Sequence, residues 1–374
     1  MSSMKIALFS VFYPYRGGIA QFGAMLYRAL EKEHNPEAYT FSRQYPGLLF
    51  PGSSQYVLDS DKADDIPAKR ILDSVNPLSF RSAAEKINNS KPDLFISQYW
   101  MTFFGPATGG LQKRLTPGTK RISILHNVIP HEKRFFDNFS NRSFFKHNEG
   151  FVVLSDAVLK DLLSIQPDAK YLRIDHPVYS HFGDQLERNT ALEELSLSKE
   201  KKYILFFGFI RDYKGLDLLL EALANLPEEY ELIVAGEVYG SFDPYQAIID
   251  QSNIKNRVHL YNEYIPDDEV TKYFSAADLC VLPYKSATQS GITAIAHHFD
   301  LPIVATNVGG LKETIQNGET GFVVESNIVE IREAILKSFD DGNLETFSKN
   351  IAVRKLENTW ENFAKKVIEF SETL

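Results

Sequence analysis

Short apolar runs alternate with amphipathic ones along most of the chain. KIALFSV, EAYTF, DLFISQ, RISILH, FVVLS and KYLRI in the first half have the length of strands, as do YILFFG, YELIVAG, RVHLY, LCVLPY, PIVAT and GFVV in the second. Several are apolar without a break, as strands buried on both faces must be. GIAQFGAMLYRALEK, KGLDLLLEALANL and DDEVTKYFSAAD repeat apolar side chains at three-and-four spacing. That spacing predicts helices with one buried stripe. Strand, helix, strand in this rhythm predicts an α/β chain of parallel sheets with helices on both faces.

The rhythm stops between residues 176 and 201, where the chain is polar and turn-rich, and a second series starts at Tyr203. Two domains are therefore expected, residues 1–182 and 183–356. The closing segment, 357–374, reads as one amphipathic helix with Trp360, Phe363, Val367 and Phe370 on a stripe. Such a stripe needs a surface to cover, either by capping the second domain or by crossing back to the first.

Composition narrows the class. The chain has 374 residues, 44% hydrophobic and 24% charged, which suits two ordinary cores and excludes a disordered or collagen-like protein. No apolar run approaches the ~18 residues of a spanning helix. The start, MSSMKIALFSVFYPY, reads as a first strand and not as a secretory signal. One cysteine, Cys280, excludes an internal disulfide framework and a thiolate metal site, and fits a cytoplasmic protein.

The net charge of −9 is uneven: residues 1–182 hold 22 basic and 17 acidic side chains, and residues 183–374 hold 18 and 32. Phosphate binding along a nucleic acid needs clustered positive charge, so no nucleic-acid partner is expected. The basic first half fits an anionic substrate or peripheral contact with a membrane surface.

Four places carry candidate chemistry. The first strand leads into PYRGGIAQFG, where Gly17 and Gly18 open a helix. Glycine lets backbone approach an anion, and a helix start offers free N–H groups, although the spacing is not the dinucleotide pattern GxGxxG. In FFGFIRDYKG, Arg211 and Lys214 stand in the loop after a strand, at the edge where open parallel sheets bind ligands; two cations there suit a diphosphate. In LPYKSATQSGITAIAHHF a helix is expected from Gly291 to Phe299, with Ser290, or alternatively Thr288, as its N-cap. The N–H groups of Gly291, Ile292 and Thr293 would then face outward for an anion. His126 ends the strand RISILH and would offer an imidazole at the same kind of edge.

Other groups fit structural readings better. His297 and His298 are adjacent on a helix, face different ways and cannot share a metal. Asp59 and Asp61 could bind Mg²⁺, but Asp-rich loops are usually solvated, and no metal is expected. Gx4GK[ST], GxSxG and HExxH are absent.

Taken together, the GG loop, the strand-ending His126, GFIRDYKGLDLLLEAL, AADLCVLPY, LPIVATNVGGLKETIQNGETGFVV and TWENFAKKV resemble the nucleotide-sugar glycosyltransferases of family 4. That family has the GT-B fold, two Rossmann-like domains facing each other across a cleft. Two departures stand out. Phe209 replaces the Arg that usually follows Gly208, with Arg211 two residues on, and the two positions of the family's E-x7-E hold Ala287 and Ile295. The resemblance implies a retaining transferase with its nucleotide sugar (UDP- or GDP-linked) on the second domain and a glycan or lipid-linked acceptor on the first. It also implies that the last helix crosses back to the first domain. On this reading His126, Lys214 and Arg211 are catalytic. Gly208, Glu237, Ile265, Ser290, Gly291, Ile292 and Thr293 hold the donor, Gly17 and Gly18 serve the acceptor or a phosphate, and no cofactor is needed. The rival functions are a non-catalytic binder of nucleotide sugars, an epimerase and a phosphorylase. The rival architecture is a metal-dependent single-domain transferase using Asp59 and Asp61.

Overall fold

The computed structural model describes residues 3–46, 55–57, 64–129, 137–178, 182–287, 290–340 and 342–374. Asp59, Asp61 and Thr288 lie outside them. The chain forms two compact α/β units. The first comprises the described residues up to His176 together with Thr359–Leu374, and the second is Pro177–Asn358.

The first unit is built on strands β1 (Lys5–Phe9), β2 (Asn35–Arg43), β3 (Lys69–Asp73), β4 (Leu94–Tyr99), β5 (Lys120–Leu125), β6 (Gly150–Val153) and β7 (Tyr171–Arg173). They form one parallel sheet in the order β3-β2-β1-β4-β5-β6-β7. Every residue of β4 is buried, its polar Ser97 and Gln98 included. β3 is absent from the sequence expectation. It is a short edge strand, KRILD, whose two leading residues are exposed, so it lacks the apolar signature of a central strand.

The second unit repeats the plan with β8 (Lys202–Phe207), β9 (Tyr230–Ala235), β10 (Val258–Tyr261), β11 (Leu279–Leu282), β12 (Ile303–Thr306) and β13 (Gly321–Val324). Their order is β10-β9-β8-β11-β12-β13, all parallel. In each sheet the order reverses beside the strand that starts the series, at β1/β4 and at β8/β11. Ligands of open α/β sheets bind beyond the carboxyl ends of the strands at that switch.

The last helix, Trp360–Glu372, belongs to the first unit. Its buried stripe is Trp360, Phe363, Val367 and Ile368, with Phe370 half-buried instead of fully buried. It packs on the helix Gly18–Leu30, where the Phe22 ring meets Trp360 at 4.8 Å and Phe363 at 5.6 Å, both edge to face. Lys32 and Glu361 pair across the same contact. The helix start is placed by Thr359, whose hydroxyl accepts the Asn362 N–H.

The change of unit comes before the expected residue 182. The reason is bonding: the Val178 N–H donates to Asn358 O at 3.1 Å, and the Thr271 hydroxyl donates to Phe182 O. These bonds tie the segment after His176 to the second unit.

Candidate functional site

At the carboxyl ends of β8 and β9 the chain is pinched by glycines. Gly236 has φ +144° and a β-carbon there would stand 2.2 Å from Gly208 O. Gly208 has φ +98°. Neither conformation suits a side chain, and the close approach admits none at Gly236. From Gly208 the chain passes Arg211, turns through Asp212–Lys214 and reaches Gly215, whose φ is +69°. A β-carbon on Gly215 would lie 1.9 Å from Pro283 O. The turn is thus pressed against the loop after β11, and the Lys285 N–H donates to Tyr213 O at 2.7 Å across that contact. On the other side Thr306 of β12 donates to Tyr284 O at 2.6 Å.

This packing carries Lys214 inward. Its side chain is buried, with 8% exposure, and its ammonium lies 5.3 Å from the centre of the Tyr284 ring. No carboxylate pairs with it among the described residues. Burial pushes its pKa down to about 8, and the nearby Arg211 charge adds to the depression. Burial likewise raises the Cys280 thiol to about 12, leaving it an inert thiol. Arg211 lies over the Tyr239 ring at 4.6 Å, and its Nε is buried without a partner among the described residues. Lys285, by contrast, is spent on Asp212 at 2.8 Å and Asp217 at 2.9 Å.

The helix Gly291–His298 begins beside Lys214. A β-carbon on Gly208 would meet Lys214 Nζ at 3.2 Å and Ile292 Cδ1 at 3.3 Å, so these three residues converge. Ser290 is the N-cap: its Oγ accepts the Ile292 N–H at 3.3 Å and lies 3.1 Å from the Tyr284 hydroxyl. The expectation of three outward N–H groups needs correction. Ile292 is bonded to the cap hydroxyl, and the Thr293 N–H reaches Ser290 O at 3.3 Å. Of the three, Gly291 alone keeps an N–H with no partner among the described residues. Glu237 contributes its carbonyl to the Ile210 N–H at 2.9 Å. The Ile265 side chain is buried, so at that position only backbone could meet a ligand. Ile295, at one of the positions where the resembling family carries Glu, is buried too.

In the first unit, His126 follows β5 directly. Its Nε2 lies 2.8 Å from Gln98 Oε1, and Gln98 Nε2 donates to Ser10 Oγ at 2.7 Å. The Phe22 ring and the imidazole stand edge to face, with centroids 4.7 Å apart. Burial pushes the His126 pKa down to about 3, and the adjacent His176 adds to the effect. Gly17 has φ +105° and no side-chain cap bond serves the helix it precedes. A β-carbon there would touch nothing within 4 Å, so Gly17 serves the turn and not a close packing contact. Gly17, Gly18 and His126 belong to one unit, and Lys214, Arg211 and the Gly291 helix to the other.

The two histidines after Ala296 do separate things. His297 is half-buried, and desolvation pushes its pKa down to about 4, with Arg354 and Lys355 adding to the depression. His298 Nε2 lies 2.7 Å from Gly183 O. Among the described residues no three His, Cys, Asp or Glu side chains cluster as a metal site would require, and no helix is long and apolar enough to cross a membrane.

Sequence reasoning missed Gly236, Tyr239, Tyr284 and Gln98. Gln98 had a signal: with Ser97 it is a polar residue near the end of a buried strand. The other three depend on contacts between loops far apart in sequence.

Known proteins bear on this geometry. Residues 187–355 match the family model of the glycosyl transferases group 1. That match lies within the second unit. A D-inositol 3-phosphate glycosyltransferase of Xylanimonas cellulosilytica is 29% identical over 182 residues, 48% of this chain and 43% of that protein. The chain therefore spans less than half the length of that curated relative. Among solved structures, sucrose-phosphate synthase from Thermosynechococcus elongatus aligns over 99% of this chain and 98% of its own, with TM-score 0.73 and 18% identity. Anabaena Alr3699/HepE, solved in complex with UDP, aligns over 99% and 100% with TM-score 0.71 and 15% identity. Those likenesses establish the fold: two Rossmann-like α/β units of the GT-B kind.

Proposed function

We propose that the chain is a retaining glycosyltransferase that moves a sugar from a UDP- or GDP-linked donor to a glycan or lipid-linked acceptor in surface polysaccharide or glycolipid synthesis. The observation that carries this reading is the buried Lys214 ammonium, without a carboxylate partner among the described residues, converging with Gly208 and the start of the Gly291 helix, inside a region that matches the group 1 transferases. A buried cation with no carboxylate beside it among the described residues suits an anionic ligand. The D-inositol 3-phosphate glycosyltransferase relative and the UDP complex of Alr3699/HepE support a nucleotide-sugar donor as that anion.

In this reading the diphosphate binds to the second unit, and the acceptor to the first, on the side of Gly17, Gly18 and His126. Breaking the sugar–phosphate bond leaves charge on the diphosphate. Lys214, Arg211 and the Gly291 N–H stabilise that charge as it develops, from positions set before the reaction starts. Retention at the anomeric carbon follows the family resemblance, and the leaving phosphate takes the acceptor's proton. The protein acts in the cytoplasm, with the basic first half meeting an anionic or membrane-borne acceptor.

The test is a panel of UDP- and GDP-sugars with oligosaccharide and lipid-linked acceptors, assayed with and without EDTA. Nucleotide release stimulated by an acceptor, unaffected by EDTA and giving a retained anomer, is the expected result. Nucleotide binding without turnover would assign the chain to the non-catalytic binders. Conversion of donor without any acceptor would make it an epimerase.

A further inference from the structure

Three strands of the first sheet bring a serine, a glutamine and a histidine into line. Phe9 of β1 pairs with Ser97 of β4, so Ser10 stands opposite Gln98, one step further on. Gln98 pairs with Ile124 of β5, so His126, two residues beyond Ile124, falls on the same sheet face as Gln98. Ser10 and Gln98 are fully buried. The Gln98 carboxamide spans the line, donating from Nε2 to Ser10 Oγ at 2.7 Å and turning Oε1 to His126 Nε2 at 2.8 Å.

A carboxamide has one donating end and one accepting end. With its NH₂ committed to Ser10, Gln98 shows His126 only an acceptor. The imidazole must then carry its proton on Nε2. Its Nδ1 is left as a lone-pair acceptor, with no partner among the described residues.

We propose that Gln98 is a positioning residue that locks His126 in the Nε2–H tautomer and so presents Nδ1 as a hydrogen-bond acceptor for a substrate hydroxyl. The catalytic consequence rests on the transferase reading above; the tautomer does not. The ligand class it fits is a polyhydroxyl compound, whose O–H groups donate. A substrate group that only accepts, such as a carboxylate or phosphate, would meet a lone pair and be rejected.

The experiment uses the full chain labelled with ¹⁵N-histidine. The His126 signals are assigned by their loss in His126→Gln, and long-range ¹H–¹⁵N correlation reads which ring nitrogen is protonated. The expected wild-type pattern is a protonated Nε2 and a bare Nδ1. Gln98→Met, and the milder Ser10→Ala, should shift the tautomer towards Nδ1–H. Gln98→Glu, whose carboxylate can only accept, should keep the proton on Nε2. Steady-state transfer should show kcat lowered by about tenfold in Gln98→Met, the scale of one lost hydrogen bond, with donor KM unchanged. A proton on Nδ1 in the wild type, a tautomer indifferent to both Gln98→Met and Ser10→Ala, or a shifted tautomer with unchanged kcat would each overturn the proposal. A wild type that shows the expected tautomer and transfers no sugar would refute the transferase reading while upholding the Gln98 lock.

Discussion

Lys214 Nζ stands 3.2 Å from the point a β-carbon on Gly208 would occupy, and Ile292 Cδ1 stands 3.3 Å from the same point. Gly208 is therefore the floor on which the candidate diphosphate site is laid. Gly208→Ala meets two penalties. The residue must hold φ +98°, at about 1–3 kcal/mol of strain, and its methyl must push back the ammonium or the isoleucine. The expected outcome is a measurable loss of stability and about tenfold weaker UDP binding, read by urea unfolding and by calorimetric titration. Undiminished UDP affinity would show that the nucleotide does not lie against Gly208.

Lys214 links the site to pH. Burial holds its folded pKa at about 8, below the ordinary 10.5. The folded state thus binds this proton less tightly than the unfolded chain does. Below about pH 8 both states are protonated and the folded protein bears the full penalty of a buried charge. Between about 8 and 10.5 only the unfolded chain keeps the proton, so this group's contribution to stability rises with pH. Lys214→Met removes the penalty. The variant should be more stable than wild type at pH 7, by on the order of 3 kcal/mol from the pKa alone, and the gap should narrow towards pH 10.5. Its sugar transfer should fall by roughly a hundredfold, the scale of one lost transition-state charge partner. UDP affinity in the wild type should weaken as pH rises above about 8, where Lys214 loses its charge. Circular dichroism in urea and UDP titrations across this range check both signs; a Met variant less stable than wild type at pH 7 would contradict the buried-cation account.

Much of this site was legible in the sequence, because it is built from local signals. The apolar strands, the amphipathic helices and the Ser290 cap each declare themselves within a dozen residues. Arg211 and Lys214 could be placed at a ligand edge once the strand before them was recognised. The missing parts are those set by distant contacts. Gly236 is required by the carbonyl of Gly208, and Tyr239 matters because Arg211 lies on its ring. The spare N–H groups of the Gly291 helix were overcounted because Ser290 satisfies two of them, a point that only cap geometry decides. β3 escaped notice because an edge strand need not be apolar on both faces.

Ser290 tests the helix start separately from the lysine. Its hydroxyl holds the Ile292 N–H and meets Tyr284, whose carbonyl is pinned by Thr306. Ser290→Ala should lower stability by about 1 kcal/mol, the usual value of an N-cap. UDP affinity should fall severalfold, since a frayed first turn no longer presents the Gly291 N–H. Ser290→Thr keeps the capping oxygen and should restore most of both. An alanine variant with wild-type UDP affinity would remove the helix start from the binding site.

The last helix can be tested without any substrate. Phe22 is the meeting point of four rings: His126 at 4.7 Å, His176 at 5.1 Å, Trp360 at 4.8 Å and Phe363 at 5.6 Å. Trp360 is buried there, and removing a buried indole costs about 3–5 kcal/mol where the surroundings cannot collapse. The chain has two tryptophans, Trp100 and Trp360, and both belong to the first unit. In Trp360→Ala the remaining fluorescence of Trp100 therefore reports that unit alone. The expected result is a first-unit transition moved to markedly lower urea, while UDP binding to the folded protein is kept, because Lys214 and the Gly291 helix belong to the other unit. An unchanged transition would mean that the terminal helix is a dispensable cover; lost UDP binding would mean that the two units depend on each other for folding.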